Sequence, residues 1–316
     1  VKGRIAVTGF RVGELLEQPN LGSVSCEAGL NGVVGKGLID ARVDGSVSQL
    51  EFNGYDYDSL RFGGRLTEKT FNGHVRADDP ALRFDFQGEV GFNPERPHYD
   101  FDLDLIHADL ARMHLNRRDS VSVLSALVEA RASGRTLDDL NGKVTVGDVV
   151  YRYNADTLRT TRLTLDGQNS AGSKYLSLQS EFADATFRSR TDYKTVFEYL
   201  RSSLEKYIPL LYDERKARKR AAGAVSVVDD YSVLSVDVKH FTPVADAVAD
   251  GLQIADGSQL RLLFNPANDK LSLKATSEYI ERERMLATRL NLNATNRGDS
   301  LSVYLRSEDF YVGTFH

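Results

Sequence analysis

His98, His107 and His114 fall within 17 residues, beside Asp104 and Asp109, a set that raises the question of a metal. Zinc needs three or four converging ligands, commonly opened by a close-spaced pair. His107 and His114 are seven residues apart on what reads as strand plus turn, so an unbroken strand points them to opposite faces. Solvent-face and turn histidines account for them, and no metal is expected. Nucleophilic chemistry has no better footing. There is no Gly-x-Ser-x-Gly elbow, and Cys26, the single cysteine, has no neighbouring histidine to activate it. Gly32, Gly35 and Gly37 suggest a phosphate loop, yet Gly-Lys-Ser/Thr and a strand–helix crossover are missing. The carboxylate pairs Asp78-Asp79 and Asp138-Asp139 sit in turn contexts, where Asx-type bonding explains them. The run Arg215, Lys216, Arg218, Lys219 and Arg220 offers cations to anionic headgroups, worth about 1 kcal/mol each near such a surface. A solvated helix end, with cations at the negative pole of its dipole, explains the run more simply. The expectation is a protein without catalytic residues, cofactor or metal.

What the chain does repeat is alternation. Leu82, Phe84, Phe86, Val90 and Phe92 share one parity, and Arg83, Asp85, Gln87 and Glu89 the other. Tyr99, Phe101, Leu103 and Leu105 then alternate with Asp100, Asp102 and Asp104. Side chains of a strand point alternately to opposite faces, so one surface is oily and the other wet. Phe62, Val144/Val146, Leu163/Leu165 and Leu176/Leu178 carry the same rhythm. Leu234/Val236/Val238, Leu260/Leu262/Phe264 and Leu271/Leu273 continue it, as do Leu290/Leu292 and Leu301/Val303/Leu305. Tight-turn pairs are read at Asn31-Gly32, Asp44-Gly45, Asn53-Gly54, Gly63-Gly64, Asn72-Gly73, Asn141-Gly142 and Asp166-Gly167. Turn signals at this spacing mark an all-β meander of about 18–20 strands. Ser120–Ala132 carries apolar residues on both parities and is assigned to strand, with Gly134 and Leu137-Asp138-Asp139-Leu140 completing a hairpin.

Two segments break the rhythm. Tyr193, Val196, Phe197, Leu200, Leu204, Tyr207 and Ile208 recur in steps of three and four, a helical stripe over 193–208 with Asp192 as its cap. Val196, Phe197, Leu200, Leu204 and Ile208 are expected to pack on the sheet or line it. A shorter helix is expected over 243–253, capped by Thr242 with Pro243 in its first position. The 316 residues then divide into a β segment 1–212, a basic connector 213–224 and a continuing β segment 225–316. The composition is 41% apolar and 27% charged, which excludes a disordered chain, and the net charge of −5 disfavours nucleic acid as a partner. No run approaches the roughly 18 apolar residues of a membrane-crossing helix. The chain opens at Val1 in strand-like sequence, as a piece of a longer protein would.

An open sheet of more than about ten strands curls or splits, so its oily face needs a cover. A second sheet, closure into a barrel, or an apolar cargo in a trough would each serve. A membrane barrel turns its oily face outward around a polar lumen, whereas Asp100, Asp102 and Asp104 suit bulk water.

Several segments carry a family resemblance. They include Val1–Phe10, Leu15-Leu16…Asn20-Leu21-Gly22, Leu50–Tyr57, Phe71–Val75 and the Asp78-Asp79-Pro80 turn before Phe84-Asp85-Phe86. To these belong Ala108-Asp109-Leu110, Leu137–Gly142 and Ile254-Ala255-Asp256-Gly257-Ser258. Together the chain resembles the AsmA-like/TamB (translocation and assembly module B) family of diderm bacteria, in its Bacteroidota-type form. The resemblance implies a long curved antiparallel β-sheet, taco-like in section, with an apolar groove carrying phospholipid towards the outer membrane. It also implies a periplasmic segment of a protein anchored in the inner membrane, partnered by phospholipid acyl chains and by an outer-membrane barrel protein of the assembly machinery. Leu82, Phe84, Phe86, Val90, Phe92, Tyr99, Phe101, Leu103 and Leu105 are the expected groove lining. The alternating residues from Phe62 and from Val144 to Leu273 extend it. A structural or adhesive β-sandwich, whose oily face is an ordinary dry core, is the alternative. A scaffold pairing outer-membrane strands along its edges shares the groove architecture.

Overall fold

Period-two polarity becomes strand almost everywhere it occurs. The computed structural model describes all residues except 12, 15–17, 36, 171, 208–229, 249–251, 283–284 and 314–316. Among the described residues twenty strands form one large open antiparallel sheet, as the alternation predicts. They are β1 (Lys2–Arg11), β2 (Leu21–Gly35), β3 (Leu38–Phe52), β4 (Tyr55–Tyr57), β5 (Leu60–Thr67), β6 (Thr70–Asp78) and β7 (Leu82–Gly91). There follow β8 (His98–Asp109), β9 (Ser122–Ser133), β10 (Asn141–Tyr153), β11 (Asp156–Gln168), β12 (Lys174–Ser180), β13 (Ala183–Ser189) and β14 (Ser232–Val238). The last are β15 (Gln253–Ile254), β16 (Gln259–Asn265), β17 (Lys270–Arg282), β18 (Met285–Arg297), β19 (Ser300–Arg306) and β20 (Phe310–Val312).

The chain divides into two compact units, Val1–Arg135 with Gly142–Thr164, and Thr136–Asn141 with Leu165–His316. The division falls inside β11, whereas the basic run 213–224, the expected connector, lies outside the described residues. In the first unit the strands pair in the order β1–β2–β3–β5–β6–β7–β8–β9, with β4 continuing the line of β5 along β3. In the second they run β12–β13–β14–β16–β17–β18–β19, with β15 on β17 and β20 on β18.

Most of the expected glycine turns are not turns. Asn31-Gly32, Asp44-Gly45, Gly63-Gly64, Asn72-Gly73 and Asp166-Gly167 lie inside β2, β3, β5, β6 and β11, and Asn141-Gly142 opens β10. Only Asn53-Gly54 reverses the chain, with φ of 53° and 75°, the double positive φ of a tight hairpin. The reversal between β10 and β11 uses Asn154, also at positive φ, whereas Ser59, at φ 55°, interrupts the strand path of β4 and β5 without reversing it.

At one end of the first unit's strands, Tyr57, Ala81, Ala108 and Met113 form a buried cluster flanked by Leu60, Leu82, Leu105 and Leu124. The buried Asp79 carboxylate holds it together. It accepts from Tyr55 Oη at 2.9 Å, Ala81 N at 2.7 Å and Asp58 N at 3.0 Å, so the expected Asx turn is present.

In the second unit helix α1 (Tyr193–Tyr207) follows the predicted stripe. The Asp192 carbonyl accepts from Val196 N, while the Asp138 carboxylate, supplied by a 3-10 turn at Leu137–Asp139, accepts from Tyr193 N at 2.6 Å. Tyr193 and Val196 are buried against Phe187 and Phe264, with Tyr199 and Leu200 beside them. Tyr199 Oη and Lys206 Nζ reach Asp269, and Tyr207 Oη donates to the Gly298 carbonyl, so the helix lies across the strand ends. Phe197, expected on the packing face, is instead 68% exposed. One residue past Val196, it is turned about 100° away from the sheet. Ile208 and the side chain of Leu204 lie outside the described residues. Val196→Asp is expected to cost about 3 kcal/mol in urea denaturation, because it buries an unpaired charge. Phe197→Asp is expected to change stability by less than about 0.5 kcal/mol, and equal effects of the two would overturn this packing.

Helix α2 (Thr242–Val248) begins one residue earlier than predicted, since the Phe241 carbonyl already accepts from Val244 N and Ala245 N. It does not reach the expected end at 253, because Gln253 already pairs with Glu281 in β15; residues 249–251 lie outside the described residues. Among its described side chains Val244 and Ala245 are buried.

Burial pushes the phenols of Tyr55, Tyr193 and Tyr199 up to about 12, with Asp79 adding at Tyr55 and Asp138 at Tyr193. An unfolded tyrosine ionises near 10. The raised values therefore contribute stability that is whole below about pH 10 and is lost as pH rises towards 12. Denaturation midpoints should be level below that window and fall within it, together with delayed phenolate absorbance. Uniform ionisation of every tyrosine near 10 in the folded protein would contradict this.

Candidate functional site

Residues directly paired across strands share a face, so the registers show what each surface is made of. One row of the first unit reads Ile5, Ala28, Gly45, Phe62, Val75, Phe86, Leu103, Val128 from β1 to β9. The next reads Val7, Cys26, Val47, Leu60, Ala77, Phe84, Leu105, Ala126. On the same face, flanking the first row on its other edge, lie Leu30, Val43, Gly64, Gly73, Gly88, Phe101, Ala130, and then Gly32, Ala41, Leu66, Phe71, Val90, Tyr99, Ala132. No charged or amide side chain interrupts the four rows. Eight strands at about 4.8 Å spacing carry the face over roughly 34 Å.

Burial on this face follows size. Ala41, Val43, Ala77, Ala126 and Ala130 are buried, at 2–6% exposure. Phe62, Phe71, Phe84, Phe86, Phe101, Leu103 and Val128 are all only half-buried. Small side chains are screened by larger neighbours in the same layer, such as Phe86 and Phe101 at 5.1 Å between ring centres. Among the described residues of this unit, elements touch from strand to neighbouring strand, and no second layer lies above these larger ones. A dry core would reverse this, hiding its largest side chains most completely.

Glycines show which way the strands lean. A Cβ on Gly32, Gly45, Gly64, Gly73, Gly88 or Gly142 would lie 2.1–2.4 Å from a carbonyl oxygen of the adjacent strand. Five of these glycines belong to the apolar rows, and Gly142 adjoins Ala132 at the end of one. Glycines of the opposite parity, Gly29, Gly63 and Gly91, would meet side chains instead, those of Asp44, His74 and His98. Backbones therefore converge on the apolar side, as on the concave side of a bent sheet.

The opposite face is charged. Arg131 spans Asp100 and Asp102 at 2.9 Å each, and Arg65 makes a two-pronged contact with Asp40 at 2.7 Å. The His98 ring and Asn72 hold the Glu89 carboxyl below the usual range. These exposed pairs add little stability individually.

The second unit repeats the pattern. Leu178, Ala185, Val236, Leu260, Ala275, Leu292 and Leu305 form one row. Leu176, Phe187, Leu234, Leu262, Leu273, Ala294 and Val303 form another. Here α1 covers part of the face. Phe264, expected to line a groove, is fully buried beneath the helix, with Leu176, Leu234 and Leu262 packed around it. Val236, Val238, Leu260, Leu271 and Leu273 stay half-buried.

Of the remaining expected lining, Phe84, Phe86, Val90, Tyr99, Phe101, Leu103 and Leu105 lie in the four rows, with Phe62. Leu82 sits at the row ends in the Tyr57–Met113 cluster. Phe92 lies one residue beyond β7 and is 49% exposed, so it is not part of a row. Val144, Val146 and Leu163 are half-buried on β10 and β11 of the first unit, and Leu165 belongs to the second. Leu30, Val43, Val47, Leu66, Phe71, Val75 and Val128 belong to the face without having been expected there. Several flank a glycine pair read as a turn; the matching parity on its two sides was the available signal.

Among the described residues no three metal-ligating side chains converge, and no helix is long and apolar enough to cross a membrane. Comparisons of the chain with family models, with curated proteins and with solved structures return no match.

Proposed function

We propose that this chain is a non-enzymatic conduit for phospholipid, an internal segment of a TamB-like bridge across the periplasm between inner and outer membrane. Acyl chains would lie on the apolar rows and slide along them, with headgroups kept in water. One observation carries this: across a face about eight strands wide, large apolar side chains such as Phe62, Phe86 and Leu103 are only half-buried, and away from the Tyr57–Met113 cluster the described residues of their unit place no second layer over them. A face of that size on a folded protein marks a binding surface. Burial of about 0.8 kcal/mol per methylene would hold a tail there. Uniform lining would keep the barriers between neighbouring positions low, because each step exchanges like contacts for like. The dry-sandwich alternative needs a second layer over the rows.

Native mass spectrometry of the purified chain, with solvent extraction and lipid analysis, tests the proposal. Bound phospholipid is the expected result. A chain purified from lipid-containing cells without any, which also takes up none from vesicles, would refute it.

A further inference from the structure

On the charged face β4 and β5 pair with β3 in one register, from Phe52–Tyr55 to Asp40–Thr67, and a cleft of about 610 Å³ opens where Asp58 and Ser59 interrupt the two strands. Its walls carry two cations, Arg61 and Arg76, two anions, Asp58 and Asp78, and the hydroxyls of Ser46, Ser48 and Ser59. Arg61 and Arg76 are direct cross-strand partners, an arrangement of like charges that is unfavourable unless something negative lies between them. Arg76 has a long 3.6 Å contact with Asp85. Among the described residues Arg61, Asp58 and Asp78 have no ion-pair partner, so the cleft holds both signs of charge without pairing them to each other.

The rim is held in place from behind. The Asp79 carboxylate fixes Asp58 N and Tyr55 Oη, and the Ser59 carbonyl accepts from Asp78 N at 3.2 Å. Ser59 itself is held at φ 55°, a strained conformation for a residue with a side chain, of a kind that concentrates at ligand sites.

We infer that this cleft binds a zwitterion, a phosphate joined by a short linker to an ammonium group. The two guanidiniums present forked donors suited to phosphate oxygens, with Ser46 and Ser59 able to add hydroxyl donors. Asp58 and Asp78 would receive the ammonium. A simple phosphate would leave both carboxylates unmatched, and a simple amine would leave the arginine pair repelling. Val47 and Leu60 also border the cleft, but its charged and hydroxyl groups Ser46, Arg61, Arg76 and Asp78 have the opposite parity to the apolar rows, so the site does not depend on the conduit. Such a group occurs free in solution and as a lipid headgroup.

Calorimetric titration of the full chain with glycerophosphoethanolamine, glycerol phosphate, ethanolamine and inorganic phosphate tests it. The zwitterion should bind about tenfold more tightly than any of the others, a difference of about 1.4 kcal/mol. Arg61→Gln and, separately, Arg76→Gln should each weaken it by a similar factor. Asp58→Asn should remove the preference over glycerol phosphate while leaving glycerol phosphate binding intact. Lysophosphatidylethanolamine serves as the second arm. If Arg61→Gln weakens its binding, the source is a lipid headgroup; if only the chain-free compound binds, the source is a soluble metabolite. Equal affinity for all four probes, no binding, or indifference to both arginine substitutions would overturn the inference. Phe86→Arg should leave these titrations unchanged, which separates failure here from failure of the conduit.

Discussion

Phe86→Arg is expected to lower the phospholipid bound to the purified chain by more than about tenfold, an energy of about 1.4 kcal/mol, while the sheet stays folded. Phe86 stands in the middle of an apolar row, paired with Val75 and Leu103, and is half-buried. An arginine there can extend its charged end to water along its own aliphatic stem, so the folding cost is on the order of 1 kcal/mol. For a hydrocarbon tail the same guanidinium is a charge in its path. Leu103→Arg, one strand away, should act in the same way. Ala77→Arg is the contrasting variant, because Ala77 is 2% exposed and a large cation has no room there. Thermal melts and native mass spectra of the three proteins separate the conduit from a dry core. Unfolding of the Phe86 variant to the same degree as the Ala77 variant, or unchanged lipid in it, would reject the conduit.

Gly73→Val should be among the most destabilising substitutions on this sheet. A Cβ at that position would sit 2.2 Å from the Gly63 carbonyl oxygen and 2.7 Å from the Gly64 Cα. Both are backbone atoms in the adjacent strand and cannot swing aside. The strands must separate or lose their hydrogen bonds, at a cost of about 3 kcal/mol or more. Gly3→Ala is the control, since a Cβ on Gly3 meets nothing within 4 Å and should change stability by less than about 0.5 kcal/mol. Urea denaturation of both decides the point. A mild Gly73→Val variant would show that the strands can spread freely, and that glycine is not what brings them together.

The strand content and the apolar parity were legible because period two survives in almost every strand, and the stripe over Tyr193–Tyr207 was legible as period 3.6. The turns were harder to place. Asn-Gly and Asp-Gly owe their turn meaning to positive φ, but at Gly32, Gly45 and Gly73 the missing Cβ serves a close approach between strands. Those two uses of glycine look identical in one dimension, since the neighbour that demands the space is eight to eighteen residues away. Phe264 failed as lining for a related reason. Its parity was right, but only the chain path of the helix shows that it lies underneath. The cleft at the interruption between β4 and β5 left no local trace, because Ser46, Asp58, Arg61 and Arg76 read as ordinary wet-face residues until register sets them side by side.

Side chains in the half-open rows answer to a demand for oiliness without a demand for shape. Interlocking cores resist exchange of leucine for valine or phenylalanine because each neighbour must refit. A surface bounded by solvent or by fluid hydrocarbon imposes no such refitting. Descendants of one ancestor built on this plan are therefore free to swap aliphatic for aromatic at most of these positions within a few mutations. Their kinship would persist in the places where glycine must remain glycine, a thin and widely spaced signature that leaves little contiguous text in common.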